Sequence, residues 1–335
     1  MKKRQIISAI SAALILLSGV SVCAEAAWSD ISVQPNVINV FVNNNHIGAD
    51  NFLFEGTTYL PIRAVSEALN LTVDYDDATK TASISGNTSA TSYKGKKVLV
   101  LGDSNSALTS KTLETDKGDW KHWFSEIVQP AEMNCVAVGG ATLCDKEDTV
   151  YDGNPHYDAD NRGQNTFGNQ VQKIINNHYE EPDVIIILYG MNDGIQNLSD
   201  EDVEAAFMKS YYGYDPVPLA EVDRTTYAGA FRYVNETLRN LYPNAQIAAC
   251  TPIQQAEGSR TYVKVKQTSD SIIKLARRMS IPVWDTGGES GIYVSYGDYG
   301  TAKTQDLGDG LHVNGYGARK LGRYIASKFV QYFSF

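Results

Sequence analysis

Four short stretches of this 335-residue chain carry groups that could cooperate: Gly102-Asp103-Ser104-Asn105-Ser106, Gly139-Gly140-Ala141-Thr142, Gly190-Met191-Asn192-Asp193 and Asp309-Gly310-Leu311-His312-Val313-Asn314. A serine at a strand-to-loop turn exposes its hydroxyl where a base can activate it. Glycine lets a backbone N–H come close to a developing oxyanion, and an asparagine amide is a second donor that does not titrate. Asp309 and His312, three residues apart on a turn, can hold a carboxylate against an imidazole. The acid then fixes the tautomer and the imidazole takes the serine proton. These are the groups that acyl transfer needs, although each string alone is a common turn or cap motif with a high false-positive rate.

Such groups act together only if the fold gathers them, and the apolar pattern says how. Lys97–Gly102 is a short apolar run of the buried parallel-strand kind, and Val184–Tyr189 is a stronger one. Val136–Val138, Gln246–Cys250 and Pro282–Trp284 are further strand candidates. Between them, Tyr227, Phe231, Val234, Leu238 and Leu241 recur at helical spacing up to Pro243, a second helix spans about Thr261–Met279, and a third, Tyr316–Phe333, places Leu321, Ile325 and Phe329 on one face. Alternating strands and helices imply an α/β fold with a doubly wound parallel sheet between helical layers. In such sheets sites form at the carboxyl ends of the strands, where three of the four stretches fall, and the fourth precedes the last helix.

The chain before this region reads differently. Lys2, Lys3 and Arg4 precede an apolar stretch from Ile6 to Val22 and small residues around Ala24-Glu25-Ala26, the layout of a secretory signal over residues 1–26. Residues 30–86 form a small α+β module: a hairpin with Ile38, Val40 and Val42 on one strand face, a short helix carrying Ile62, Val65, Ala68 and Leu69, then strands at Leu71–Tyr75 and Thr81–Ile84. A small, polar, charge-free run beginning at Ser85 marks a linker, placed at 87–94, so the larger domain covers 95–335.

The four stretches, in this order and at these element boundaries, resemble the SGNH/GDSL hydrolase family over roughly residues 95–333. Ser104 fits the first block, Gly140 the second, Asn192 the third, and Asp309 with His312 the fifth. The resemblance implies a three-layer, flavodoxin-like fold and a serine esterase in which Ser104, His312 and Asp309 are catalytic and Ser104, Gly140 and Asn192 form the oxyanion hole. In the second block Cys135 and Ala137 replace the usual asparagine and glycine, which leaves Gly139 and Gly140 as alternative donors, with Gly140 favoured by its spacing to Thr142. Residues 30–86, through Tyr59-Leu60-Pro61-Ile62-Arg63 and Val73-Asp74-Tyr75-Asp76, resemble the copper amine oxidase N-terminal-like domain, which implies an accessory or surface-attachment role. The module's single histidine, His46, gives no copper cluster and is expected in a solvent-facing loop.

Other functions lose ground on composition. With 29 Lys+Arg against 39 Asp+Glu the net charge is −10, and loss of the first 26 residues removes Lys2, Lys3, Arg4 and Glu25 and makes it more negative, so nucleic acid is not an expected partner. No segment of the mature chain is apolar enough to span a bilayer. Cys135, Cys144 and Cys250 are an odd number, so at most one disulfide forms, with Cys135–Cys144 the nearest pair. No metal or other cofactor is expected: Arg162 and Asn169 spoil the calcium-loop likeness of Asp158–Gly163, and there is neither a Gly-x-Ser-x-Gly elbow nor a dinucleotide loop.

Polar segments at 145–167, 193–225 and 293–305 should overhang the strand ends and bring Tyr211, Tyr212, Tyr296 and Tyr299 to the substrate. Flat, hydroxyl-bearing rings suit sugars. The expectation is therefore a secreted esterase acting on carbohydrate O-acetyl groups, with wall or surface association through the first module. A lipase or phospholipase-type esterase and a catalytically silent glycan-binding module are the alternatives.

Overall fold

The computed structural model describes residues 30–42, 45–69, 71–86, 93–107, 119–156, 162–210, 213–258, 260–301 and 303–333. They fall into two compact units divided between Asn87 and Thr88. The elements of the first are β1 (Gln34–Pro35), β2 (Phe41–Val42), β3 (Asn45–His46), β4 (Phe52–Phe54), β5 (Thr57–Tyr59), α1 (Ile62–Ala68), β6 (Leu71–Asp76) and β7 (Thr81–Gly86). β1, β4 and β5 make one antiparallel sheet, and β2–β3 and β6–β7 are separate antiparallel pairs.

Residues 37–42 do not form the single long strand that the apolar alternation implies. Asn36 N–H donates to Asn51 O and the Asn51 amide to Ile38 O, so this backbone bonds to a neighbouring loop and only Phe41–Val42 enters a ladder. His46 lies on β3, exposed, edge-on to the Phe41 ring, and not in a loop.

The second unit is built on a five-stranded sheet in the order β12-β11-β10-β8-β9, with every pairing parallel. In chain order it contains β8 (Lys97–Gly102), α2 (Ser104–Ala107), α3 (Trp120–Val128), β9 (Glu132–Cys135), α4 (Phe167–Asn177), β10 (Val184–Leu188), α5 (Asp200–Ala205), α6 (Tyr227–Leu241), β11 (Gln246–Cys250), α7 (Tyr262–Arg278), β12 (Val283–Trp284), α8 (Thr286–Glu289) and α9 (Gly315–Phe333). Strand side chains alternate between two cores. Leu99, Leu101, Ile185, Ile187 and Ile247 pack with Phe167, Phe231, Leu238 and Leu275 from α4, α6 and α7. Val98, Val100, Val184, Ile186 and Ala248 pack with Trp120, Phe124, Leu321, Ile325 and Phe329 from α3 and α9. Full burial of side chains this size contributes about 1.5–3 kcal/mol each, which is why strands covered on both faces read as unbroken apolar runs.

The second strand of the sheet differs in position from its apolar signal. β9 is Glu132–Cys135, while Val136 and Val138 follow it and still donate to Val100 O and Gly102 O. An edge strand is paired on one side only, so its polar front half forms the ladder and its buried valines continue past it.

Register sets the platform for the site: Gly102 lies opposite Leu188, Leu188 opposite Cys250 and Cys250 opposite Trp284, so four strand ends are level. Gln170, buried on α4, grips the end of β8, accepting from Gly102 N and donating to Gly102 O. Cys135, Cys144 and Cys250 are free thiols. No helix among the described residues is long and apolar enough to cross a membrane. Since the second unit contains the whole parallel sheet and both cores, a protein beginning at Thr88 should unfold in one cooperative thermal transition. Loss of that cooperativity on deleting residues 27–87 would show that the sheet depends on the first unit.

Candidate active site

β8 ends at Gly102, and the chain turns at once into the one-turn helix α2, with Ser106 and Ala107 N–H donating to Asp103 O. That turn presents Ser104, half-buried, at the carboxyl edge of the sheet. His312 comes from the other end of the unit, on a loop closed by a bridge between Leu307 and Val313. Gly310 sits at φ +81°, and a Cβ there would come within 2.8 Å of Thr301 O, so the tip of the loop needs glycine.

The two ends meet. Ser104 Oγ lies 2.8 Å from His312 Nε2, and His312 Nδ1 lies 2.6 Å from Asp309 Oδ2. Asp309 Oδ1 accepts from the N–H groups of Leu311 and His312 at 3.0 and 2.7 Å. Partial burial resists ionisation of Asp309, but the His312 hydrogen bond and the backbone donors together outweigh it and hold this carboxyl below the usual range. An ionised Asp309 fixes the proton on Nδ1, which leaves Nε2 free to accept from the Ser104 hydroxyl.

Asn105 couples the two ends. Its amide donates to Leu311 O and its side-chain oxygen accepts from Val313 N–H, so it holds the backbone on both sides of His312 from the residue next to Ser104. This side chain is buried, as is Asp103, whose Oδ1 accepts from Asn105 N–H at 2.9 Å. Burial pushes the Asp103 carboxyl up to about 6, against the Asn105 N–H and the charges of His312 and Arg260, which pull it down. Gly190 makes room for it, because a Cβ there would lie 1.8 Å from Asp103 Oδ2.

The donors form the other wall. Asn192 Nδ2 donates to Ala141 O at 3.0 Å and lies 3.4 Å from Asp103 Oδ2. The next residue, Asp193, accepts from Leu143 and Cys144 N–H at 2.8 Å each. Burial raises the Asp193 carboxyl, and those two N–H bonds oppose the rise. From the opposite side Asn165 donates to Gly139 O and accepts from Thr142 N–H. The Gly139–Cys144 loop is thus held on both sides, with Gly140 at φ +69°.

Ser104, His312 and Asp309 form one hydrogen-bonded line, and Asn192 reaches Asp103, next to Ser104, and bonds to the Gly139–Cys144 loop at Ala141 O. Asn105 and Asp193 stand inside the stretches that the sequence singles out but, like Asn165, have no role legible there, because their partners are distant backbone groups. Tyr296 is almost wholly exposed. Tyr299 is half-buried against the core, and its hydroxyl accepts from Tyr262 N–H at the start of α7. Tyr211 and Tyr212 lie outside the described residues.

A parallel α/β sheet with a hydroxyl, an imidazole and a carboxylate in line at its carboxyl edge has the layout of an ester-hydrolysing enzyme. The chain belongs to the GDSL-like lipase/acylhydrolase family, whose model matches residues 100–320. The copper amine oxidase N-terminal domain model matches residues 41–117, starting later than residue 30 and running past the division between the units. No curated protein matches the chain.

Among solved structures, a carbohydrate acetylesterase from Sinorhizobium meliloti is similar at 18% identity over 71% of this chain and 100% of its own, with a TM-score of 0.42. A lipase/acylhydrolase from Enterococcus faecalis is similar at 16% identity over 70% and 96%, with a TM-score of 0.41. A protein from Lactobacillus plantarum is similar at 16% identity over 72% and 99%, with a TM-score of 0.48.

Asn105→Ala removes both bonds to the His312 loop and strands two backbone groups. Urea unfolding should show a loss of about 1–3 kcal/mol. Ester turnover should fall by about tenfold to a hundredfold as His312 loses its register with Ser104. An unchanged kcat in a destabilised variant would limit Asn105 to a packing role.

Proposed function

We propose that this chain is an exported serine esterase that removes O-acetyl groups from carbohydrate. The observation that carries the reading is the continuous line Ser104 Oγ–His312 Nε2 and His312 Nδ1–Asp309 Oδ2. Ser104 Oγ attacks the acyl carbonyl as its proton passes to Nε2. The resulting oxyanion is met by the N–H groups of Ser104 and Gly140 and by the Asn192 amide. Of the two Asn192 N–H groups, the one at 3.4 Å from Asp103 is held more weakly than the one on Ala141 O and is the one this reading assigns to the oxyanion. The imidazole returns the proton to the departing sugar hydroxyl, and water then releases acetate from the acyl-enzyme by the same steps.

A sugar substrate is supported by the openness of the site, where the Asp309 side chain is 54% exposed, and by the exposed ring of Tyr296 on the neighbouring 296–301 segment. The first unit acts as an attachment module in this reading. Its Phe52 and Tyr59 rings stack at 4.9 Å, with Tyr59 open to solvent. Export rests on the leader pattern of residues 1–26, which lie outside the described residues.

The test is hydrolysis of 4-nitrophenyl acetate, then acetate release from acetylated oligosaccharides. Ser104→Ala should abolish both while leaving the melting transition in place, and turnover surviving in that variant would refute the assignment. Asn192→Ala should lower kcat by about a hundredfold to a thousandfold with little change in KM, the usual loss for one oxyanion donor. A loss confined to KM would instead make Asn192 a ground-state binding residue. Asp309, held below the usual carboxylate range, should stay ionised on mild acidification, so Asp309→Asn should lower kcat/KM at neutral and mildly acid pH alike. Wild-type turnover in Asp309→Asn would remove Asp309 from its orienting role.

A further inference from the structure

The wall beside the Asp309–His312 turn carries a cation that the acyl-transfer steps do not use. After β11 the chain runs through Gln255, Ala256 and Glu257 to Arg260. Ala256 and Glu257 N–H both donate to Gly310 O, at 2.8 and 3.3 Å, within the turn that holds His312. Gly300 N–H donates to Ala256 O at 2.7 Å, so the segment carrying Tyr296 and Tyr299 is tied to the same point. Three loops are therefore stitched into one rim, and Arg260 belongs to it.

Its guanidinium is oriented by a buried partner. Arg260 Nη1 donates to Gln255 Oε1 at 2.9 Å, and Gln255 is only 4% exposed. Among the described residues no carboxylate lies in ion-pair reach of Arg260, and the Nε–Nη2 edge of the fork makes no hydrogen bond. Glu257, on the same loop, is exposed and does not pair with it. The charge is nonetheless close to the chemistry, since it acts on Asp103, next to Ser104, together with that of His312. A half-buried arginine pre-set by a buried glutamine, with one two-donor edge vacant, is shaped to receive a planar carboxylate in bidentate fashion. This cation stands in a chain of net charge −10, and its charge is felt at Asp103, so it offsets the negative field that an incoming carboxylate would meet.

We infer that Arg260 is a specificity-determining residue that receives the carboxylate of a uronic acid, so that the preferred substrate is an acetylated acidic glycan. The inference rests on the esterase reading above and narrows its substrate class. The sugar bearing the acetyl group reaches Ser104, and the carboxylate on that sugar or its neighbour docks on the Nε–Nη2 edge.

The experiment compares kcat/KM for acetylated galacturonate oligosaccharides and acetylated xylo-oligosaccharides of equal length, in the full-length protein and in Arg260→Gln and Arg260→Lys. Wild type should prefer the acidic substrate by about tenfold or more, the scale of one charge-assisted hydrogen-bonded pair. The preference should appear mainly in KM and shrink as salt is raised. Arg260→Gln should bring the ratio close to one, and Arg260→Lys should keep part of it, because the charge remains but the fork does not. Equal wild-type rates on the two glycans, or a preference that survives in Arg260→Gln, would overturn the inference and leave the esterase reading standing. The salt dependence is read on the wild-type protein and needs no variant to fold. If neither the glycans nor 4-nitrophenyl acetate were cleaved, the esterase reading itself would have failed and this inference with it.

Discussion

The contact between Ser104 Oγ and His312 Nε2 is the constraint on which the second unit is organised. The two residues are 208 positions apart, and the site exists only if both ends of the unit return to the same strand end within a few tenths of an ångström. The sheet order makes this feasible. β8 lies second from one edge, with β10 beside it, so loops from β8 and β10 are neighbours while α9 packs with α3 on one face. Asn105 supplies the final adjustment by bonding to the backbone on either side of His312. A loop held only by its own turn would wander by more than the tolerance of proton transfer.

The electrostatics of the site follow from burial as much as from pairing. Asp103 and Asp193 are both driven up by desolvation, and both spend their oxygens on backbone or amide N–H groups. Asp309, more exposed and with an imidazole and two N–H groups as partners, goes the other way. Three aspartates at one sheet edge thus differ by environment: two brace loops in the dry interior, and one stays charged against the imidazole.

Much of this was legible in the sequence, for reasons that can be named. Val184–Leu188 is buried on both faces, so it reads as an unbroken apolar run, and the polar residues ending such runs fall on the carboxyl edge of the sheet. The periodicities of α6, α7 and α9 survive because each buries one stripe against the sheet. Two kinds of feature stayed hidden. Where partners are distant backbone atoms, as for Asn105 with Leu311 and Val313 or Asp193 with Leu143 and Cys144, no local spacing records them. Where side chains redirect the main chain, as Asn51 does at Ile38, an apolar alternation that looks like a strand is diverted into a loop. β9 falls between these cases, since its ladder begins in Glu132–Cys135 while its burial lies in Val136 and Val138.

The distance along the chain between hydroxyl and imidazole also governs when the hydrogen-bonded line can form. A ribosome delivers Ser104 208 residues ahead of His312. α9, which completes the core against Phe124, follows only after that. A nascent or prematurely terminated polypeptide that stops short of residue 312 therefore carries the hydroxyl without the imidazole and lacks the hydrogen-bonded line altogether.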